Sequence, residues 1–169
     1  MINTKNIKLT NKTLFTTLLT VYLKKRWWLI TLILIISLLI SLKENKDKND
    51  YFIMFFSFIY PILITLQYWR FANSGDNKIF LLERNYEIDD EKIIGNLNDG
   101  TSSTIMNNHL IKTIQLKNAY LLYISKLQFI YIPKNGFQTE QDKNWFEKKI
   151  IKNVKNKNRS SFEKRFLII

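Results

Sequence analysis

The stretch Tyr51-Phe52-Ile53-Met54-Phe55-Phe56-Ser57-Phe58-Ile59-Tyr60-Pro61-Ile62-Leu63-Ile64-Thr65-Leu66-Gln67-Tyr68-Trp69 decides the fold. Its 19 residues carry no charge, and at about 1.5 Å per residue they span about 28 Å, close to the roughly 30 Å hydrocarbon core of a bilayer. Tyr51 at one end and Tyr68 with Trp69 at the other give the aromatic ends of a membrane span. Pro61 falls inside the run, where it can kink the helix, which membrane helices tolerate better than soluble ones. A second charge-free run, Trp27–Leu42, lies upstream; its 16 residues span about 24 Å. Lys24, Lys25 and Arg26 can lengthen it by laying their stems along the helix, with Trp27 and Trp28 at headgroup depth. Within Leu29–Leu42 the polar residues Thr31, Ser37 and Ser41 do not form a stripe, so apolar side chains face every direction. A chain of 169 residues has too little other material to cover two such helices, so both are expected in lipid. The apolar run begins after residue 26 and no small-residue cleavage pattern follows it, which argues against a signal peptide.

Eight residues, Lys43–Asp50, separate the runs, so the helices are expected to form an antiparallel hairpin with both flanks on one side. Residues 1–26 contain six Lys plus Arg and no acid, and Arg70, Lys78 and Arg84 follow the second run, against three Lys in the loop. The positive-inside bias therefore places both termini in the cytoplasm.

The whole chain has 26 Lys plus Arg against 14 Asp plus Glu, a formal charge of +12. That charge is concentrated: residues 1–26 hold +6, residues 148–165 hold +7, and residues 27–147 sum to −1. Basic ends on a membrane-anchored chain suit an anionic leaflet, at about 1 kcal/mol per side chain, better than they suit nucleic acid. The candidate contacts are Lys134, Lys152, Lys155, Lys157 and Arg159, facing anionic lipid headgroups or a protein partner; for the basic tail, Lys/Asn-rich compositional bias is an equal alternative. Zero Cys excludes disulfides, thiolate metal sites and cysteine nucleophiles, and a single His excludes zinc sites needing two imidazoles. Four Gly and two Pro leave no material for a glycine-rich phosphate loop.

After Arg70 the pattern changes to short β-type runs: Phe80–Ile88, Lys92–Leu97, Thr101–Met106, Leu110–Gln115, Ala119–Ser125 and Gln128–Ile132. Asp89-Asp90 and Asp99-Gly100 mark turns, so an antiparallel meander is expected. Thr139-x-x-Asp142 reads as a capping box that starts a helix, with Trp145, Phe146, Lys149, Ile150 and Val154 on one side of it. Six strands ending in a helix resemble a pleckstrin-homology-like barrel plugged by that helix. At the N-terminus an extended piece, Ile7–Thr10, precedes a helix starting near Asn11 or Thr13, whose face Leu14, Phe15, Leu18, Leu19 and Tyr22 needs either the membrane surface or the soluble domain as partner; the polar rather than strongly basic opposite face of Thr16, Thr17 and Thr20 favours the domain.

The string Ile132-Pro133-Lys134-Asn135-Gly136-Phe137, preceded by Leu121-Leu122-Tyr123 and Phe129-Ile130-Tyr131 and followed by an acidic, aromatic helix start, resembles the I-P-K-x-x-F signature of the YcxB-like family. The chain departs from the family pattern before Leu110-Ile111-Lys112, where Asn108 and His109 stand instead of a Trp. The resemblance implies a bacterial inner-membrane protein with an N-terminal strand and helix, two transmembrane helices and a small C-terminal β-rich domain. It transfers no catalytic residue.

Physically, Pro133 cannot donate to a ladder and ends the last strand, Gly136 permits a tight turn, and Phe137 can fold back to join Trp145 and Phe146. The acids Glu87, Asp89, Asp90 and Glu91 lack the spacing of a calcium loop and read as a solvated turn. His109 has no Ser or Asp placed to form a relay with it. No enzyme, cofactor or metal site is expected. The resulting fold class is an α+β membrane protein: residues 1–26 a strand and amphipathic helix, 27–69 a transmembrane hairpin (27–42 and 51–69), and 70–169 a cytoplasmic β-rich domain with a C-terminal helix and basic tail. The expected function is a non-catalytic membrane-anchored interaction module. A membrane-bound immunity or protective factor against a toxin or stress-linked complex is the alternative.

Overall fold

In the computed structural model, which describes residues 1–126 and 128–154, the chain divides into two units. One is Leu9–Leu81; the other joins Met1–Lys8 to the chain from Leu82 onward.

The first unit is a helical hairpin. Thr10 starts α1 (Asn11–Ser41), accepting the Thr13 backbone N–H at 3.1 Å, so the helix begins where the sequence places it. The helix is broken at Arg26, whose φ of −128° and ψ of 15° lie outside helical space. Helix α2 (Lys48–Asn73) starts in a capping box: the Asp50 N–H donates to Asp47 Oδ1 at 2.9 Å, and the Asp47 N–H to Asp50 Oδ2 at 3.0 Å. Lys43 Nζ, 2.7 Å from Asp50 Oδ2, clasps the tip. The helices pack antiparallel, with the buried Ser37 and Ser57 supplying small side chains. Pro61 lies inside α2, as expected.

Both helices turn large apolar side chains outward, among them Leu34, Ile35 and Leu38 on α1 and Phe52, Phe55 and Phe58 on α2. Among the described residues α2 is the one helix long and apolar enough to cross a membrane. Of the two expected spans, α2 has the full length and apolarity and α1, the one expected to be short, falls below it. The charge-free part of α1, from Trp27 to the helix end at Ser41, is 15 residues or about 22 Å, and Lys24-Lys25-Arg26 stop it from extending upstream.

The second unit holds two antiparallel sheets. Strands β1 (Ile2–Asn3), β2 (Arg84–Ile88), β3 (Lys92–Leu97) and β4 (Ser102–Met106) form one, in that order. Strands β5 (Lys112–Gln115), β6 (Ala119–Tyr123) and β7 (Phe129–Pro133) form the other. The meander expected to run through all the strands is interrupted between β4 and β5, where Asn107–His109 forms a 3-10 turn and the ladder stops. Two further boundaries move. Phe80, expected in a strand, belongs to a short helix, α3 (Lys78–Leu81), and the N-terminal strand lies at Ile2–Asn3 rather than Ile7–Thr10. Isolated bridges at Thr4 and Ile7 continue that edge. The β3–β4 turn needs Gly100, which has φ +85°.

After Thr139, α4 (Glu140–Phe146) starts with the expected capping box and passes into a π-turn, Glu147–Ile151. The wider turn lets the consecutive Ile150 and Ile151 both be buried. Ile88 and Ile93 from the first sheet, Tyr120, Leu122, Ile130 and Ile132 from the second, and Phe146 and Ile150 from the helix form one core.

Candidate functional site

The motif Ile132–Phe137 leaves β7 and enters a 3-10 turn, Lys134–Gly136, tied by the Lys134 N–H to Asn118 O at 2.9 Å. A Cβ on Gly136 would meet Pro133 Cγ at 3.1 Å, so the turn closes against the proline ring it follows. The Gly136 carbonyl accepts the Lys5 N–H at 2.7 Å, and Phe137 bridges to Thr4, so the N-terminal segment docks on the motif. Phe137 is buried, its ring centroid 5.1 Å from Phe146 and 6.1 Å from Tyr120. Its expected fold-back onto Phe146 is therefore observed.

Tyr120 is the centre of this site. It has no exposed surface, its ring lies 5.3 Å from that of Phe146, and its hydroxyl donates to Glu147 Oε1. Lys134 Nζ stands 5.3 Å above the Tyr120 ring, a cation–π distance. Burial first, and then the Glu147 carboxylate, hold the Tyr120 hydroxyl well above its usual range. A buried tyrosine needs a partner for its O–H, so the Tyr inside Ala119-Tyr120-Leu121-Leu122 was the available signal. The identity of that partner, 27 residues further on, was not readable from spacing.

Of the five basic residues singled out above, Lys134 is half-buried over Tyr120, and Lys152 is exposed in the last described helical turn. These two occupy separate elements. Lys155, Lys157 and Arg159 lie outside the described residues.

The acidic run is divided among structural tasks. Asp89 Oδ1 accepts the N–H groups of Lys92 at 2.7 Å and Glu91 at 2.8 Å, closing the β2–β3 turn. These two bonds hold the Asp89 carboxyl below its usual range. Glu87 accepts from Asn96 Nδ2 at 2.9 Å, and Asp90 lies 3.7 Å from Lys149. Among the described residues no group of three or more His, Asp or Glu gathers in a way that could hold a metal ion. His109 closes the 3-10 turn and is exposed. Beside it a cleft of about 360 Å³ is lined by Asp90, Asn107, Asn108, Lys149 and the last turn of the helix. Asn107 donates through Nδ2 to the Asp89 carbonyl at 3.0 Å, while its Oδ1 finds no hydrogen-bond partner among the described residues.

Residues 88–150 match the family described as YcxB-like protein. No curated protein and no solved structure matches the chain. The match runs from the last residue of β2 to Ile150 and so contains the Lys134 turn, Tyr120, Glu147 and all of the cleft lining except Asn153 and Val154. By that match and by the I-P-K-x-x-F turn inside it, the C-terminal part of this chain, residues 88–150, is a YcxB-like domain.

Proposed function

We propose that the chain is a non-catalytic, membrane-anchored interaction module. Its hairpin crosses the bacterial inner membrane twice with both flanks in the cytoplasm, and its YcxB-like domain meets anionic lipid or a protein partner there. The observation that carries this reading is the outward face of the hairpin, where Leu34, Ile35, Leu38, Phe52, Phe55 and Phe58 expose large apolar side chains on two adjacent helices. Soluble chains rarely present so much contiguous apolar surface. The charged tip, Lys43 to Asp50, supports a tip that reaches water on the far side rather than one left in hydrocarbon. In the cytoplasmic part, four plus three strands around one core with a C-terminal helix favour the closed, pleckstrin-homology-like reading of the two sheets.

The test is extraction and topology together. The chain should resist alkaline carbonate, a reporter at Lys46 should be active outside the cytoplasm, and one at Ile169 inside it. Release by carbonate removes the membrane reading, and a cytoplasmic Lys46 reporter with an outer Ile169 reporter reverses the orientation.

A further inference from the structure

We infer that the cytoplasmic boundary of the bilayer crosses the hairpin at Arg26 and Tyr60 rather than at Trp69, with Lys24, Lys25 and Arg26 set against the phosphates of anionic lipid. This rests on the membrane-anchor reading and fixes its depth.

The register of the hairpin supplies the first argument. Asn11 Nδ2 donates to Asn73 Oδ1 at 2.9 Å, so the start of α1 lies beside the end of α2. Tyr22 bonds the Tyr60 hydroxyl at 2.8 Å and packs its ring 5.7 Å from Tyr68, so its level falls between those two residues. Antiparallel helices rise equally, so Arg26, one turn further along α1, stands level with about Tyr60. That is the middle of the charge-free run Tyr51–Trp69, and the two runs are out of step. Were Trp69 the boundary, three consecutive cations would lie in hydrocarbon, an expensive arrangement.

Backbone and surface give the second argument. The helix breaks at Arg26, immediately before the exposed Trp27 and Trp28, and Pro61 lies at the matching level of α2. The exposed surface changes character at the same level. Toward the tip it is formed by Leu34, Ile35, Leu38, Phe52, Phe55 and Phe58. Toward the base, exposed Lys12, Thr16, Thr20, Gln67 and Arg70 are mixed with exposed Leu23, Ile62, Leu63, Leu66, Trp69 and Phe71, so the apolar surface is interrupted rather than continuous. The base half of the hairpin thus begins in the headgroup zone and, at about 22 Å from Arg26 to Asn11, extends beyond it into water. The apolar layer available on α1, Trp27 to Ser41, is 15 residues or about 22 Å, less than the roughly 30 Å of an ordinary core, so the hairpin thins the bilayer around it.

The chain has no Cys, so single-thiol variants of the full chain report depth directly. Ile35→Cys and Phe55→Cys probe the tip half, and Leu63→Cys and Leu66→Cys the base half; all four native side chains are exposed on the hairpin. Opened membrane vesicles are treated with a membrane-impermeant maleimide, with labelling in dodecyl sulfate as the reference. The expected result is that positions 63 and 66 label to most of the reference and positions 35 and 55 roughly tenfold less. Adding Lys24→Leu, Lys25→Leu and Arg26→Leu should pull the base inward and cut labelling at 63 and 66 severalfold. If 63 and 66 are as protected as 35 and 55 before that change, or unaffected by it, the boundary is not set by the triad, although the anchor reading stands. If all four label fully, the anchor reading itself fails.

Discussion

Tyr120 joins three parts of the YcxB-like domain through one side chain, because its ring lies under Lys134 and against Phe137 and Phe146 while its hydroxyl reaches Glu147. Tyr120→Phe keeps the ring contacts and removes a hydrogen bond to a charged acceptor, which is worth about 1.5–3 kcal/mol. Glu147 is half-exposed and recovers some hydration, so the loss should be about 1–2 kcal/mol, or roughly 5–10 °C in the melting temperature of the sheet unit. The pH dependence has a definite sign. Burial and Glu147 raise the folded Tyr120 hydroxyl above its unfolded value, so its contribution is complete below about pH 10 and fades as pH rises further. Alkaline unfolding followed by circular dichroism should therefore be less steep in Tyr120→Phe than in the parent. Asp89 behaves oppositely. Its carboxyl is depressed by the N–H groups of Lys92 and Glu91, so its contribution is present above about pH 4 and is lost as pH falls. Asp89→Ala should remove part of the acid limb of the stability profile and leave the alkaline limb alone. An unchanged acid limb would mean that the turn closes without the carboxylate.

Strands β2, β3, β4 and β7 were legible because a turn that chemistry can name flanks them: Asp89 bonding two N–H groups onward, Asp99 with Gly100, and Pro133 closing the last ladder. Elements with only a few residues to declare themselves were not. β1 has two residues, and no periodicity exists at that length; α3 has four, inside a run whose Ile79, Phe80, Leu81 and Leu82 suit either state. The interruption between β4 and β5 was hidden because Asn107-Asn108-His109 looks like any polar turn, and nothing local says whether the ladder resumes beyond it. Hairpin register was equally invisible, since contacts such as Tyr22 with Tyr60 depend on pairing across 38 residues. The short first edge yields a prediction of its own. Thr4 N–H donates to Tyr86 O at 2.9 Å, and Thr4 Oγ1 accepts the Tyr86 N–H at 2.8 Å, so a side chain completes the strand pairing where the backbone leaves it. Thr4→Val keeps the shape and strands a buried donor, which should cost about 1–3 kcal/mol. Hydrogen exchange should then accelerate at Tyr86 and its β2 neighbours while the β5–β7 sheet stays protected. Uniform acceleration in both sheets would show that the edge is not a local element.

At the scale of the molecule, charge and apolar surface are segregated along the chain: +6 in residues 1–26, −1 in 27–147 and +7 in 148–165, with most of the exposed large apolar side chains of the described residues on the hairpin. On the proposed membrane-anchor reading, tethering gives the basic tail a high effective concentration at the lipid surface, so that even weak attraction would be felt. Surface attraction of this kind is screened within about 8 Å at physiological salt, and it vanishes on a neutral surface. The full chain reconstituted in nanodiscs, with a fluorophore on Ser160→Cys and a quencher on the lipid headgroups, tests this directly, since the protein has no other thiol. Quenching should be strong on anionic discs at low salt, fall as salt is raised about tenfold, and be weak on neutral discs throughout. Changing Lys152, Lys155, Lys157 and Arg159 together to Gln removes four of the eight cations between 148 and 165 and should abolish most of the salt-sensitive quenching. At about 1 kcal/mol per side chain the four changes amount to a large loss, whereas tail composition without function would leave anionic and neutral discs alike. If quenching is unchanged by the four substitutions, the tail does not hold the YcxB-like domain at the lipid surface, and a protein partner becomes the sole reading of the interaction module.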